Sequence, residues 1–300
     1  HTRSFHVTGV QTCALPIYKV IDQTNFVVNR GCSGTLISVE EKLILTNYHC
    51  IDSLVSFIER EETDPNGYTK KVRVRKYADV NVEQHGYNGF AKVSTASYIA
   101  EIIAEDKKVD LAILKIKSII PHQISSKILP DNINIIRGER VYVVGNPAGN
   151  DATVVEGIIS NLNRTFEFPW TGNEKLAMIQ FSGGIYGGNS GGALYNSRGY
   201  LIGVPAAGHR DATFIGLAIP ITVVKKFMTE NCLANIYNPI FDDNKCKEEK
   251  KKKQKVRVEY YNSVRTEIRE VEKLINADCK IDPKVNELIN KAATNPEVKK

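Results

Sequence analysis

At 300 residues and 42% apolar, the chain can bury a large core, and its length leaves room for two units. No run approaches 18 uninterrupted apolar residues, so no membrane-spanning helix is encoded in this sequence. The net charge of +6 gathers at the C-terminal end: residues 233–300 carry 16 Lys plus Arg against 12 Asp plus Glu, and the rest 24 against 22, so the basicity says little about what the larger body binds.

Residues 1–17 (HTRSFHVTGVQTCALPI) show neither helical nor strand periodicity and lack the basic-then-apolar layout of a secretion signal. They resemble the in-frame translation of a short-read sequencing adapter and are expected to be foreign to the protein, Cys13 with them. On that reading the natural N-terminus is missing, and the lack of a signal peptide carries no information.

From residue 25 to residue 219 the pattern is short β runs separated by Gly, Asn, Asp and Pro: 26–29, 34–38, 43–46, 72–75, 111–116, 140–144, 153–159, 177–181, 192–195, 201–204 and 215–218, with 101–104 a further candidate. Many short strands without helical periods predict an antiparallel all-β body, barrel or sandwich. The polar, Tyr- and Gly-containing stretch 66–97 reads as an elaborated loop region with some strand. After Pro220, Val223, Val224 and Phe227 predict a short amphipathic helix packed on the body. Composition then changes. Residues 245–257 form a mostly basic run, followed by a helical stripe of Tyr261, Val264, Ile268, Val271 and Ile275, and a second helix is expected from Asp282 with Val285, Leu288 and Ile289. The expected organisation is a foreign segment over 1–17, one all-β domain over 18–232, and a basic linker with a short, charged α-helical tail over 233–300.

Setting Cys13 aside, the cysteines are Cys32, Cys50, Cys232, Cys246 and Cys279; none forms a CxxC pair or a zinc-like cluster with histidine, so neither metal nor cofactor is expected. Cys32 opens one apolar run and Cys50 follows the next, with a short polar turn between the runs. Hairpin geometry brings such positions together, and a Cys32–Cys50 bridge is preferred to two buried thiols. It would be worth about 3 kcal/mol in the chain-entropy model and would favour an extracytoplasmic home. With five cysteines, at least one is expected to stay unpaired or to pair between chains.

Three polar residues stand at the edges of apolar runs: His49 after 43–46, Asp110 before 111–116, and Ser190 within Gly187-Gly188-Asn189-Ser190-Gly191-Gly192. A serine hydroxyl is a weak nucleophile until a base takes its proton, and the base needs a third group to fix its tautomer. Each residue alone has an ordinary reading: a structural histidine, a turn aspartate, a Gly-rich turn. Together they predict acyl transfer, with Ser190 attacking, His49 as general base and then acid, and Asp110 holding the imidazole. The glycines permit a sharp turn and let the backbone N–H groups of Gly188 and Ser190 converge as an oxyanion hole.

Gly31-Cys32-Ser33-Gly34-Thr35-Leu36-Ile37-Ser38, Leu45-Thr46-Asn47-Tyr48-His49, Asp110-Leu111-Ala112-Ile113-Leu114-Lys115, Gly145-Asn146-Pro147-Ala148-Gly149, Gly157-Ile158-Ile159-Ser160, Gly188-Asn189-Ser190-Gly191-Gly192, Gly203-Val204 and Ala218-Ile219-Pro220-Ile221 together resemble trypsin-like peptidases, above all the Do/HtrA type, over about residues 20–228. The resemblance implies two antiparallel six-stranded β-barrels with the site in the cleft between them, and serine endopeptidase activity on protein or peptide substrates. It also implies that the residue six before the nucleophile, Gly184, floors the pocket for the substrate side chain preceding the cleaved bond (P1), with Ala206 and Ala207 as a wall. A small or medium apolar P1 is then expected and Arg or Lys disfavoured, unless intervening loops decide. Three departures stand out. Most bacterial Do/HtrA enzymes lack the Cys32/Cys50 pair, the 61-residue spacing from His49 to Asp110 is long for that type, and the tail shows no PDZ-like pattern, so PDZ-controlled activation is not carried over.

Gly188-x-Ser190-x-Gly192 also fits an α/β-hydrolase elbow, but a turn and another strand follow it instead of a helix, and His209 is the sole histidine downstream. A non-catalytic binding module is disfavoured by the complete His–Asp–Ser set. For the tail, the lysines at 250–253 could touch anionic membrane or polymer, or serve as a solvated linker; without aromatic–basic interleaving no nucleic-acid partner is expected.

Overall fold

The computed structural model describes residues 24–29, 31–63, 69–88, 91–120, 124–149, 153–209 and 212–278. Residues 1–17 and the helix expected from Asp282 lie outside the described residues. The chain divides into a unit over residues 1–239 and a unit over residues 240–300.

In the first unit the elements run β1 (Asn25–Val28), β2 (Cys32–Ser38), β3 (Leu43–Thr46), β4 (Val55–Thr63), β5 (Thr69–Tyr77), β6 (Val80–Asn88), β7 (Ala91–Asp106) and β8 (Leu111–Ile116), then β9 (Lys127–Ile128), β10 (Arg140–Gly145), β11 (Thr153–Glu167), β12 (Lys175–Ser182), β13 (Ala193–Asn196), β14 (Tyr200–His209), β15 (Ala212–Pro220) and helix α1 (Ile221–Glu230). Strands β1, β2, β3, β8, β7 and β6 close one barrel in that order. A second barrel runs β13-β10-β11-β12-β15-β14 and closes through β13–β14 pairing, with β9 added in parallel to β14. This is the two-barrel, all-β architecture that the resemblance implied.

The near-continuous burial of β2, β3 and β8 has a physical reason. Leu36, Ile44, Ala112 and Leu114 fill the first barrel, while their neighbours Ile37, Leu43, Leu45, Leu111 and Ile113 belong to the core shared with the second barrel. Strands buried on both faces lose the apolar–polar alternation of a half-solvated sheet. The loops that leave β3 and enter β8 therefore emerge where the two barrels meet. On α1, Ile221, Val224, Phe227 and Met228 are buried, a stripe one residue away from the expected Val223, which is partly buried.

Two expectations need correction. The stretch 66–97 is mostly strand: β6 and the start of β7 form a barrel hairpin, and β4 and β5 form a separate two-stranded ribbon. Val80 and Val82 point inward, but two apolar positions among polar neighbours are too short a pattern to mark a strand. In the second unit, helix α2 (Asp243–Asp278) runs through the basic stretch that was read as a linker. Lys and Glu are good helix formers, and Asp243 in the first turn suits the helix dipole. Of the expected stripe, Val264 is half-buried and Ile268 exposed; the side chains of Tyr261, Val271 and Ile275 lie outside the described residues. Among the described residues no helix is long and apolar enough to cross a membrane.

Candidate active site

His49 lies just beyond β3 and Asp110 just before β8, strands that pair along Thr46–Ala112. Asp110 adopts a left-handed backbone (φ 54°), which Asp tolerates better than most residues, and its carbonyl accepts a hydrogen bond from the Asn47 amide (2.9 Å). That geometry turns a carboxyl group only 1% exposed toward the histidine loop. Oδ1 accepts from the His49 backbone N–H at 2.9 Å, and His49 Nδ1 lies 2.8 Å from Oδ2 and 3.1 Å from Oδ1. Because the carboxylate accepts from every neighbour, Nδ1 is the ring nitrogen that donates to it, and in the neutral ring Nε2 is then the acceptor. Next to His49, burial first, and then a hydrogen bond to Asp52, push the Tyr48 phenol far above its ordinary value, so it stays neutral.

A residue missed in the sequence completes this edge. Trp170 sits on the short helical turn Pro169–Thr171 between β11 and β12; its Nε1 donates to Asp110 Oδ2 at 3.0 Å, and its ring is 5.4 Å from that of His49. Beside that turn opens a cavity of about 430 Å³ lined by Arg75, Glu105, Lys107, Lys108, Thr171 and Glu174, among others.

Ser190 follows from the other barrel, on the turn that enters β13. Its carbonyl accepts from the Ser33 N–H at 2.8 Å and lies 3.7 Å from Cys50 Sγ. That sulfur and a ring nitrogen of His49 are within 4.8 Å of each other, so Cys50 lies near both Ser190 and His49. The Ser190 hydroxyl donates to the Ala206 carbonyl at 3.3 Å; among the described residues no hydrogen bond joins it to His49. Gly191 has φ +82°, and a Cβ there would meet Thr46 Oγ1 at 2.2 Å and the Ser33 carbonyl at 2.3 Å, so only glycine fits against the first barrel.

The Gly187 carbonyl accepts from the Ala148 N–H at 2.7 Å. A trans peptide sends the following N–H the opposite way, so the Gly188 N–H points away from Ala148. Among the described residues neither the Gly188 N–H nor the Ser190 N–H has a hydrogen-bond partner. Ser33, also missed, braces this turn: its hydroxyl donates to the Gly188 carbonyl (2.6 Å) and accepts from the Asn146 N–H (2.8 Å). Ala206 is buried and Ala207 half-buried on β14, while Gly184 is half-buried in the segment between β12 and β13.

Cys32 and Cys50 are joined, with 5.8 Å between their Cα atoms. Cys232 and Cys246 are each disulfide-bonded as well; Cys279, the fifth cysteine, lies outside the described residues. The cluster of Cys32, Cys50 and His49 has metal-like proximity, but its sulfurs are bonded to each other and offer no thiolate.

A stretch of 142 residues is 37% identical to a serine protease HtrA-like protein of Staphylococcus aureus, covering 45% of this chain and 18% of that protein, so the chain spans well under two thirds of that relative's length. Among solved structures, the HtrA-type protease AlgW, as a single-residue variant with a tripeptide, superposes with a TM-score of 0.53 at 24% identity over 75% of this chain and 64% of the other. Deg5 superposes with a TM-score of 0.51 at 26% identity over 73% and 93%. Residues 32–204, more than half of the chain, match the family described as the trypsin-like peptidase domain, and the chain belongs to that family.

Proposed function

We propose that the protein is a serine endopeptidase that cleaves proteins or peptides through an acyl-enzyme on Ser190. The observation that carries this reading is the buried Asp110 carboxylate bound to Nδ1 of His49, which leaves Nε2 free to take a proton. On this reading the Ser190 hydroxyl leaves the Ala206 carbonyl and donates to Nε2 when substrate binds; such bonds are often unmade beforehand. As Oγ attacks the carbonyl carbon, His49 takes its proton and Asp110 stabilises the imidazolium. The oxygen that gains charge is met by the unpartnered N–H groups of Gly188 and Ser190, each donor of this kind being worth about 2.7–4 kcal/mol of barrier. His49 then protonates the leaving amine, and water repeats the sequence to release the acid.

A small or medium apolar P1 residue fits the lack of any charged side chain at Gly184, Ala206 and Ala207. The disulfides suit an oxidising compartment, so an extracytoplasmic site of action goes with this reading. The basic part of α2 is assigned to a solvated surface or to contact with anionic membrane or polymer.

Digestion of casein and of a peptide library tests the assignment. Wild-type protein is expected to cut both, after apolar residues in the library, and Ser190→Ala to cut neither. Equal cleavage by Ser190→Ala removes the assignment, and cleavage confined to Arg or Lys removes the P1 preference.

A further inference from the structure

Trp170 is the chain's single tryptophan. Its indole stacks on Phe168 (4.7 Å between centroids, 22° between planes), which stacks in turn on Phe166 (6.2 Å), so the ring is held from behind by its own segment. Its other contacts converge on the proposed catalytic pair. The Asp110 carboxylate has two oxygens and two sources of donors besides the imidazole: the His49 backbone N–H fixes Oδ1, and the Trp170 N–H fixes Oδ2. A carboxylate pinned at one oxygen can still turn about its Cβ–Cγ bond; pinned at both, its plane is set before the imidazole meets it. The indole also lies beside the imidazole at 5.4 Å and 54°, and the histidine side chain is only 25% exposed.

Resting on the triad reading above, we propose that Trp170 is a positioning residue of the catalytic centre, its N–H fixing the Asp110 carboxylate and its ring limiting the swing of His49. Trp170 touches no reacting atom and acts through these two residues. No spacing rule would reveal it, because donor and acceptor are 60 positions apart on turns of different barrels.

The informative variant is Trp170→Phe, which keeps a ring on the Phe168 stack and removes only the N–H. Hydrolysis of a fluorogenic peptide taken from the library digest should show kcat reduced about ten- to a hundredfold, the range for losing one hydrogen bond to a charged group, with KM within about twofold. Placed on Asp110→Ala, which removes both acceptor oxygens, the same change should alter the rate of fluorophosphonate labelling by less than about twofold, whereas with Asp110 present it should slow labelling about ten- to a hundredfold. A purely structural role lowers the rate equally in both backgrounds and overturns the inference. Wild-type kcat in folded Trp170→Phe also overturns it, yet leaves the triad standing if Ser190→Ala is inert. Wild-type protein without Ser190-dependent activity removes the triad reading and this inference together.

Discussion

Gly188→Ala probes the oxyanion site with one carbon atom. Gly188 has φ +107°, a conformation that side chains rarely adopt, and a Cβ built there stands 2.2 Å from the Asn146 carbonyl oxygen and 3.2 Å from the Ala148 nitrogen. Relief to ordinary contact requires a shift of about 1 Å, and a misplacement of that size costs about a hundredfold in rate when it moves a reacting group. The atoms that must give are backbone, and the Ser33 hydroxyl ties the Gly188 carbonyl in place, so the strain falls on the peptide carrying the Gly188 N–H. Loss of one oxyanion donor lowers kcat by about 10²–10³. The expected result is therefore a kcat reduced by about two to three decades, with KM changed little and the chain still folded by circular dichroism. Steady-state hydrolysis of a fluorogenic peptide reads both constants. A kcat within about threefold of wild type would refute the argument that this N–H receives the developing charge.

Replacing Cys32 and Cys50 together by Ser opens a loop between residues 18 apart; urea unfolding should show a loss of about 3 kcal/mol. A loss under about 0.5 kcal/mol would remove the bridge as a stabilising element. Stability should also fall at alkaline pH through Tyr195, whose fully buried phenol is pushed above its ordinary value, first by burial, while hydrogen bonds with Ser126 and Thr24 pull the other way. The unfolded chain ionises this phenol near pH 10 and the folded one only higher, so its contribution is complete below about pH 10 and is lost above it. Tyr195→Phe should flatten that alkaline decline in denaturant titrations, and an unchanged slope would exclude Tyr195 as its source.

Much of the candidate site was legible because the residues proposed to carry it sit at ends of strongly apolar runs. His49 and Asp110 flank strands buried on two faces, and such runs stand out in any window. Ser190 announces itself through glycines whose missing Cβ atoms let the barrels approach. The Cys32–Cys50 bridge followed from hairpin reasoning for the same reason. Ser33 and Trp170 were illegible because their roles rest on partners 60 to 157 positions away, set by the meeting of two barrels. The β6–β7 hairpin and the basic half of α2 were misread where polar side chains masked a regular backbone. A charged run signals solvation; it does not tell a helix from a linker.

The central claim is that Ser190 becomes a nucleophile because His49, fixed by Asp110, removes its proton. Intact-mass and peptide-mapping analysis after exposure to a fluorophosphonate tests this directly. The account predicts a single adduct on Ser190 in the wild type, none in Ser190→Ala, and labelling slowed at least about a hundredfold in His49→Ala. An adduct on another residue, or a folded wild-type protein that takes up none, would contradict it.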